Sequence, residues 1–229
     1  MTATSEIKIL SGGAMQGLMA EAVPLFERDG DRKVTVEIGL TSALRKAIAD
    51  GAPFDIALLP RADIGALAQV GKIATGSVTD IARSAVGVAV RVGAPKPDIS
   101  TVDAFKHAVL QAGSVTYSDG PSGLSVARLM DRLGLAEAIR SRTKLTTGPV
   151  AKLLARGEAE LGIQQIVAIL PVKGAELVGP LPSELQNIIV YAAGISARSD
   201  NADAARAFIG FMGTPEVARI VRAKGMEPG

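Results

Sequence analysis

The sequence predicts two α/β lobes, one inserted into the other, joined by two crossover strands with a ligand cleft between them. Three observations predict it. Short apolar strands alternate with amphipathic helices up to about residue 71, and the same rhythm restarts near residue 101. Two long strand-like runs, near 84–91 and 188–196, bracket that second unit. Several strands run directly into small polar turns and then helices, most clearly at 114–123, SVTYSDGPSG. A strand-turn-helix junction aims backbone N–H groups at one point with the positive end of the helix dipole behind them, which suits an anion.

Taken in order, residues 7–10 form an apolar strand ending in SGGAMQG, and residues 15–28 follow as a helix. Residues 33–39, KVTVEIG, alternate with period two as a half-buried strand does. Thr41 opens a helix that Gly51 stops, with Ala43, Leu44, Ala47 and Ile48 on one face. Residues 54–59 are a nearly continuous apolar strand ended by Pro60, and residues 62–70 return as a helix. Short connections of this kind indicate parallel strands, whose carboxyl ends carry ligands. Those ends are Ser11, Gly12 and Gly13, then Gly39 to Ser42, then Pro60 and Arg61.

The second unit reads as helix 101–111, strand 114–118, helix 124–133, strand 144–147, helix 150–156 and strand 161–165, with a further short strand at 176–179. Beyond the run 188–196 lie two terminal helices, 202–212 and 215–224, the latter opened by Thr214 as cap and Pro215 at the first helical position. The expected division is therefore 1–84 with 194–229 as a discontinuous lobe, and 85–193 as the inserted one.

Composition excludes several functions. With 25 Lys+Arg against 23 Asp+Glu the net charge is +2, too small to argue for nucleic acid as a partner, and no basic stripe is visible. Cysteine is absent, so disulfides, thiolate chemistry and Cys-ligated zinc are excluded, and no metal or cofactor is expected. His107, the only histidine, sits in a helical run without a nucleophile elbow, and reads as a surface or boundary residue. No window reaches the ~20 apolar residues that would cross a bilayer, so no membrane insertion is expected. Residues 1–6, MTATSE, carry no visible secretory signal, which fits either a cytoplasmic protein or one whose signal was removed.

Several motifs carry a family likeness. They are Ser11 to Ala14 as S-x-x-A, Gly39 to Leu44 as G-x-x-S/T-x-x-L, Gly51 to Asp55 as G-x-P-x-D, and the turn with Asp119, Ser122 and Gly123. Further along come Gly157 to Ile163 as G-E-A-E-x-G-I, Ala204 to Phe211 as A-A-R-A-F-x-x-F, and Thr214 to Glu216 as T-P-E. In this order the chain resembles the molybdate-binding-protein-like solute-binding proteins of ABC transporters, with the type-2 periplasmic binding-protein fold. The resemblance implies oxyanion binding by neutral donors: Ser11 with the backbone of Gly12, Gly13 and Ala14, Thr41 or Ser42, Ser122 with Gly123, and Val150. It also implies a periplasmic monomer and a transporter permease as partner. Where that family carries Tyr in G-I-V-Y, this chain has Gly162, Ile163, Gln164 and Gln165. Gln165 thus puts an amide, both donor and acceptor, at the position of a hydroxyl, which suits an organic carboxylate at least as well as a tetrahedral oxyanion.

The remaining polar residues have plainer readings beside their functional ones. Arg45 either clamps an anion or lies exposed on its helix beside Lys46, and Asp119 either fixes its turn or acts as acid or base. Gln164 and Gln165 end an apolar strand, and Tyr191 packs in the hinge. The leading function is a small-anion binder for uptake or sensing. An isomerase of a small carboxylate, resembling aconitate isomerase, is the alternative, and it needs an acid/base drawn from Asp119, Lys46, Arg45 or a serine. A transcription regulator's effector domain would need a helix-turn-helix before the first strand, where six residues leave no room.

Overall fold

A computed structural model describes residues 5–28, 32–119 and 121–229, with the backbone alone for residues 5, 121 and 122. The chain divides by its internal contacts into two units, Met1–Arg83 with Ile189–Gly229, and Ser84–Ile188. Each has its own sheet.

Unit 1 is built from β1 (Ser5–Gly12), α1 (Gln16–Arg28), β2 (Arg32–Gly39), α2 (Thr41–Ala49), β3 (Ile56–Pro60), α3 (Arg61–Gln69) and β4 (Thr79–Ser84), to which later elements return. Unit 2 contains β5 (Val86–Arg91), α4 (Val102–Gln111), β6 (Val115–Ser118), α5 (Pro121–Arg132), α6 (Ala136–Ile139), β7 (Thr143–Thr146), α7 (Val150–Ala155), β8 (Leu161–Gln165), α8 (Ile166–Ile169) and β9 (Ala175–Pro180). The chain then closes unit 1 with β10 (Ile189–Ile195), α9 (Ala202–Met212), α10 (Pro215–Ala223) and β11 (Met226–Pro228).

The first sheet has the order β11-β4-β10-β3-β1-β2 and the second β7-β6-β8-β5-β9. In the first, β1 runs parallel to β2 and β3, so Ser11 sits level with Ile38 and Leu58, while β10 pairs antiparallel with β3, Tyr191 opposite Pro60. In the second, β6 runs parallel to β7 and β8, and β5 is antiparallel to β8, with Val86 opposite Gln165. The parallel strands follow from short apolar runs too buried to alternate: Ile56, Ala57, Leu58 and Leu59 are all sealed from solvent.

Alternation along β1 divides the core of unit 1. Leu10 packs with Leu44, Ile48, Leu59 and Ile64 under α2 and α3, whereas Ile7, Ile9 and Ser11 take the opposite face. The helix α9 is fastened to the first third by aromatic contacts, Phe26 meeting Phe208 edge-on at 5.1 Å and Phe211 at 5.4 Å. Asp55, buried at the start of β3, accepts the Lys8 N–H at 2.8 Å and the Ser199 hydroxyl at 2.5 Å. The aspartate of the G-x-P-x-D motif is therefore an anchor, tying the turn before α9 to β1.

Two expectations about the long strands need correction. The run near 84–91 is not one strand: β4 ends at Ser84 in the first sheet and β5 begins at Val86 in the second. The run at 188–196 does not cross between sheets either, because Tyr191 to Ile195 pair with β3, which keeps β10 in the first sheet rather than in a lobe reaching 193. Two short strands that the sequence reading left out, β4 and β11, complete that sheet on its far side. The start of β5 is held by a side chain that the reading also missed, since Gln186 accepts the Val86 N–H at 2.7 Å and donates to the Val86 carbonyl at 3.0 Å. One amide there imitates a paired strand.

Candidate functional site

At the carboxyl edge of the first sheet, β1 delivers Ser11 and Gly12 beside the ends of β2 and β3. Ser11 is fully buried, and among the described residues its hydroxyl donates only to the Gly12 carbonyl at 3.4 Å, a length at which a hydrogen bond is weak. A single 3-10 turn, Gly13–Met15, leads from there into α1, and Gly12 at its start offers no side-chain cap. Gly13 is exposed and Ala14 half-buried.

The start of α2 lies against the same point. Leu40 occupies the N-cap position, where a leucine has no oxygen to offer, so the first-turn N–H groups of α2 carry no side-chain cap. Thr41, the first helical residue, is half-buried, and its hydroxyl oxygen lies 3.5 Å from where a Cβ on Gly12 would stand. Ser42 is exposed. Of the two hydroxyls considered for this turn, the structure brings Thr41 to Gly12.

Arg45 does not serve as a clamp here. Its guanidinium donates to Asp63 at 2.8 Å, fastening α2 to α3, while Lys46 pairs with Asp50 at 2.5 Å on the exposed face and Arg61 pairs with Asp80. An exposed ion pair contributes little. Arg45→Ala is expected to lower stability by about 0.5 kcal/mol and leave ligand affinity unchanged, which denaturant unfolding and calorimetric titration check together.

In unit 2, β6 ends at Ser118 and the chain turns at once into α5. A Cβ on Gly123 would lie 1.5 Å from the Ser118 carbonyl oxygen, so glycine alone lets the first turn of α5 pass so close to the strand end. Asp119 has its N–H on the Thr146 carbonyl at 3.1 Å and its carboxylate exposed. Its backbone holds the turn. Tyr117, half-buried beside it, has its phenol raised above the ordinary range by burial and then by the charge of Asp131, which keeps it a neutral group. Ser122, named from the sequence as a donor, has its side chain outside the described residues.

The end of β8 carries two adjacent amides on opposite faces. Gly162 shows which face is which, since a Cβ there would meet Leu154 and Val150 at 2.8 Å, so residues 162 and 164 look toward α7. Leu161 and Ile163 look the other way, into the core with Val126, Leu129 and Met130 of α5. Gln164 thus faces α7 and Gln165, almost fully buried, the α5 side. The Val150 N–H, which the resemblance implied as a ligand donor, donates to Gln164 Oε1 at 3.1 Å. The six-residue helix α7 is capped from a neighbouring strand by a residue whose partner no sequence spacing reveals.

Among the described residues no three His, Cys, Asp or Glu side chains gather as metal ligands, and no helix is long and apolar enough to cross a membrane. His107 is exposed on α4. In unit 1 the buried hydroxyl of Ser11, the Thr41 hydroxyl and the uncapped N–H groups of α2 are neutral hydrogen-bonding groups near one sheet edge.

Comparison with known proteins shows relatives along nearly the whole chain. The model of the bacterial extracellular solute-binding protein family matches residues 7–227. An aconitate isomerase from a Pseudomonas species is 32% identical over 229 residues, covering 97% of this chain and 87% of that protein. The molybdate-binding protein ModA of Azotobacter vinelandii is 25% identical over 236 residues, covering 96% of this chain and 89% of that one. The substrate-binding domain of a putative molybdenum ABC transporter from Clostridium difficile superposes with a TM-score of 0.82 at 16% identity, covering 98% of this chain and 99% of that one.

Proposed function

Because the chain belongs to the bacterial extracellular solute-binding protein family, we propose that it captures a small organic di- or tricarboxylate. In this reading unit 1 supplies Ser11, the backbone around Gly12, Gly13 and Ala14, and Thr41 with Ser42. Unit 2 supplies the start of α5 at Ser122 and Gly123, and Gln165. Location outside the cytoplasm, a monomeric state and a transporter permease as partner belong to the same proposal.

The observation that carries it is the chemistry at the end of β8. A deprotonated tetrahedral oxyanion wants donors only, and a buried amide brings an acceptor with its donors. A larger carboxylate with hydroxyl or protonated groups uses both. Gln165→Tyr is accordingly expected to raise molybdate affinity and lower carboxylate affinity, each by about tenfold, the scale of one hydrogen bond to a charged group. A thermal-shift screen over citrate, cis- and trans-aconitate, malate, molybdate, tungstate, sulfate and phosphate tests the class. Ligand at 100 times Kd adds about 2.7 kcal/mol of stability.

A second reading is favoured by the 32% identity to a protein named aconitate isomerase. On this scaffold the enzyme would take a proton from one carbon of the bound carboxylate and return one to another, which requires a base within reach. Asp119, exposed just beyond the end of β6, is the carboxylate proposed for that role. Proton NMR of trans-aconitate in D2O with the protein separates the two readings. Loss of the methylene signal and growth of cis-aconitate mark the enzyme, and line broadening without conversion marks the binder.

A further inference from the structure

We infer that unit 1 holds a second ligand site, at the edge of its sheet opposite Ser11, which takes a small carboxylate with an apolar body. A cavity of about 290 Å3 opens there, where β3 begins after Asp55 and β10 ends before Ser196. That volume stands at the lower end for small-molecule sites. Because β10 runs antiparallel to β3, with Ile195 opposite Ile56, the end of one strand meets the start of the other at the amino edge. Ser11, level with Leu58, lies toward the carboxyl edge. Every residue lining the cavity belongs to unit 1.

Two cations at this cavity are free. Lys72 is half-buried and Arg198 exposed, and among the described residues neither side chain meets a carboxylate or a carbonyl. Backbone bonds hold both in place, the Ala197 N–H donating to the Lys72 carbonyl at 3.0 Å and the Arg198 N–H to Ser196 Oγ at 3.3 Å. Ser196 is only 8% exposed, and its hydroxyl proton has no acceptor among the described residues. A ligand carboxylate here meets two charged donors and a neutral one.

The other polar groups are engaged, save one. Lys8 gives its ammonium to Glu37 at 3.3 Å, and Asp55 accepts from the Lys8 N–H, the Ser199 hydroxyl and, at 3.4 Å, the Asn201 amide. Helices α2 and α3 end at the cavity and close on themselves: the Ala52 N–H donates to the Ala47 carbonyl and the Lys72 N–H to the Leu67 carbonyl, each at 2.9 Å. Those carbonyls are therefore not presented to a cation. Lys72 also suits the negative end of α3, a role that leaves its donors free. Asp200 is the unpaired carboxylate, exposed at the rim. The floor is apolar, since Ile48 and Phe54 belong to the core under α2 and α3. Charged donors beside an apolar floor fit a carboxylate on a hydrocarbon or aromatic body better than an inorganic anion.

Backbone amide shifts measured by NMR, on titrating the whole protein with benzoate, benzamide and inorganic phosphate, test this. We expect benzoate to move the amides of residues 52–55, 71–73 and 196–201, with benzamide and phosphate each weaker by about tenfold or more, since one lacks the charge and the other the apolar body. Lys72→Ala and Arg198→Ala should each weaken benzoate by about tenfold, and Asp200→Asn should strengthen it. None of these three side chains makes a bond that holds the fold. Ser11→Ala is expected to leave the shifts at this edge unchanged. Amides here that stay still with benzoate, or that move as much in the combined Lys72→Ala and Arg198→Ala variant, overturn the inference. Shifts confined to residues 11–14 and 41–42 overturn it as well, and assign benzoate to the proposed carboxylate site instead.

Discussion

Gly123→Ala is expected to weaken ligand binding by about a hundredfold and to cost unit 2 about 1–3 kcal/mol, the range for forcing an extra carbon into a packed site. The added Cβ would stand 1.5 Å from the Ser118 carbonyl oxygen, a backbone atom with no rotamer to escape into. The first turn of α5 must then move off the end of β6. Donors displaced by an ångström lose roughly a hundredfold in efficiency when they act by position. Calorimetric titration measures the binding and denaturant unfolding the stability. A folded Gly123→Ala with unaltered affinity would remove the start of α5 from the site.

Ser11→Ala is expected to weaken binding by about ten- to a hundredfold, the equivalent of roughly 1.5–3 kcal/mol for a hydrogen bond to a charged ligand. The empty protein should barely notice. Its hydroxyl is buried, and its one bond among the described residues, to the Gly12 carbonyl at 3.4 Å, is too long to hold the structure. A buried donor left with so weak a partner makes its better bond to something else. Equal affinity in the variant would assign Ser11 to packing, and a large loss of stability without ligand would assign it to the fold.

The sequence made legible what local patterning controls. The period-two run of β2, the glycine stop after α2 and the turn after β1 stand where residue chemistry puts them, whereas the N-cap of α2 is Leu40 and not a hydroxyl residue. Three features were hidden for different reasons. β11 has only three residues and exists because β4 offers it an edge. α8 follows β8 without a break, so its apolar IVAI reads as more strand. Gln164 and Gln186 make their contacts across 14 and 100 residues, and neither partner is written in any spacing. Of the candidate site, the hydroxyls and glycines could be proposed from turns, whereas the bond from the Val150 N–H to Gln164 needed coordinates.

The central claim, that a small carboxylate is held by neutral donors, is tested most directly by calorimetric titration of the unsubstituted protein with citrate, trans-aconitate and molybdate at two salt concentrations. The account predicts saturable one-to-one binding of a carboxylate, tighter than that of molybdate and little weakened by salt, because the contacts are hydrogen bonds from uncharged groups in a sheltered site. Tight molybdate binding with no carboxylate binding at either salt concentration would contradict it.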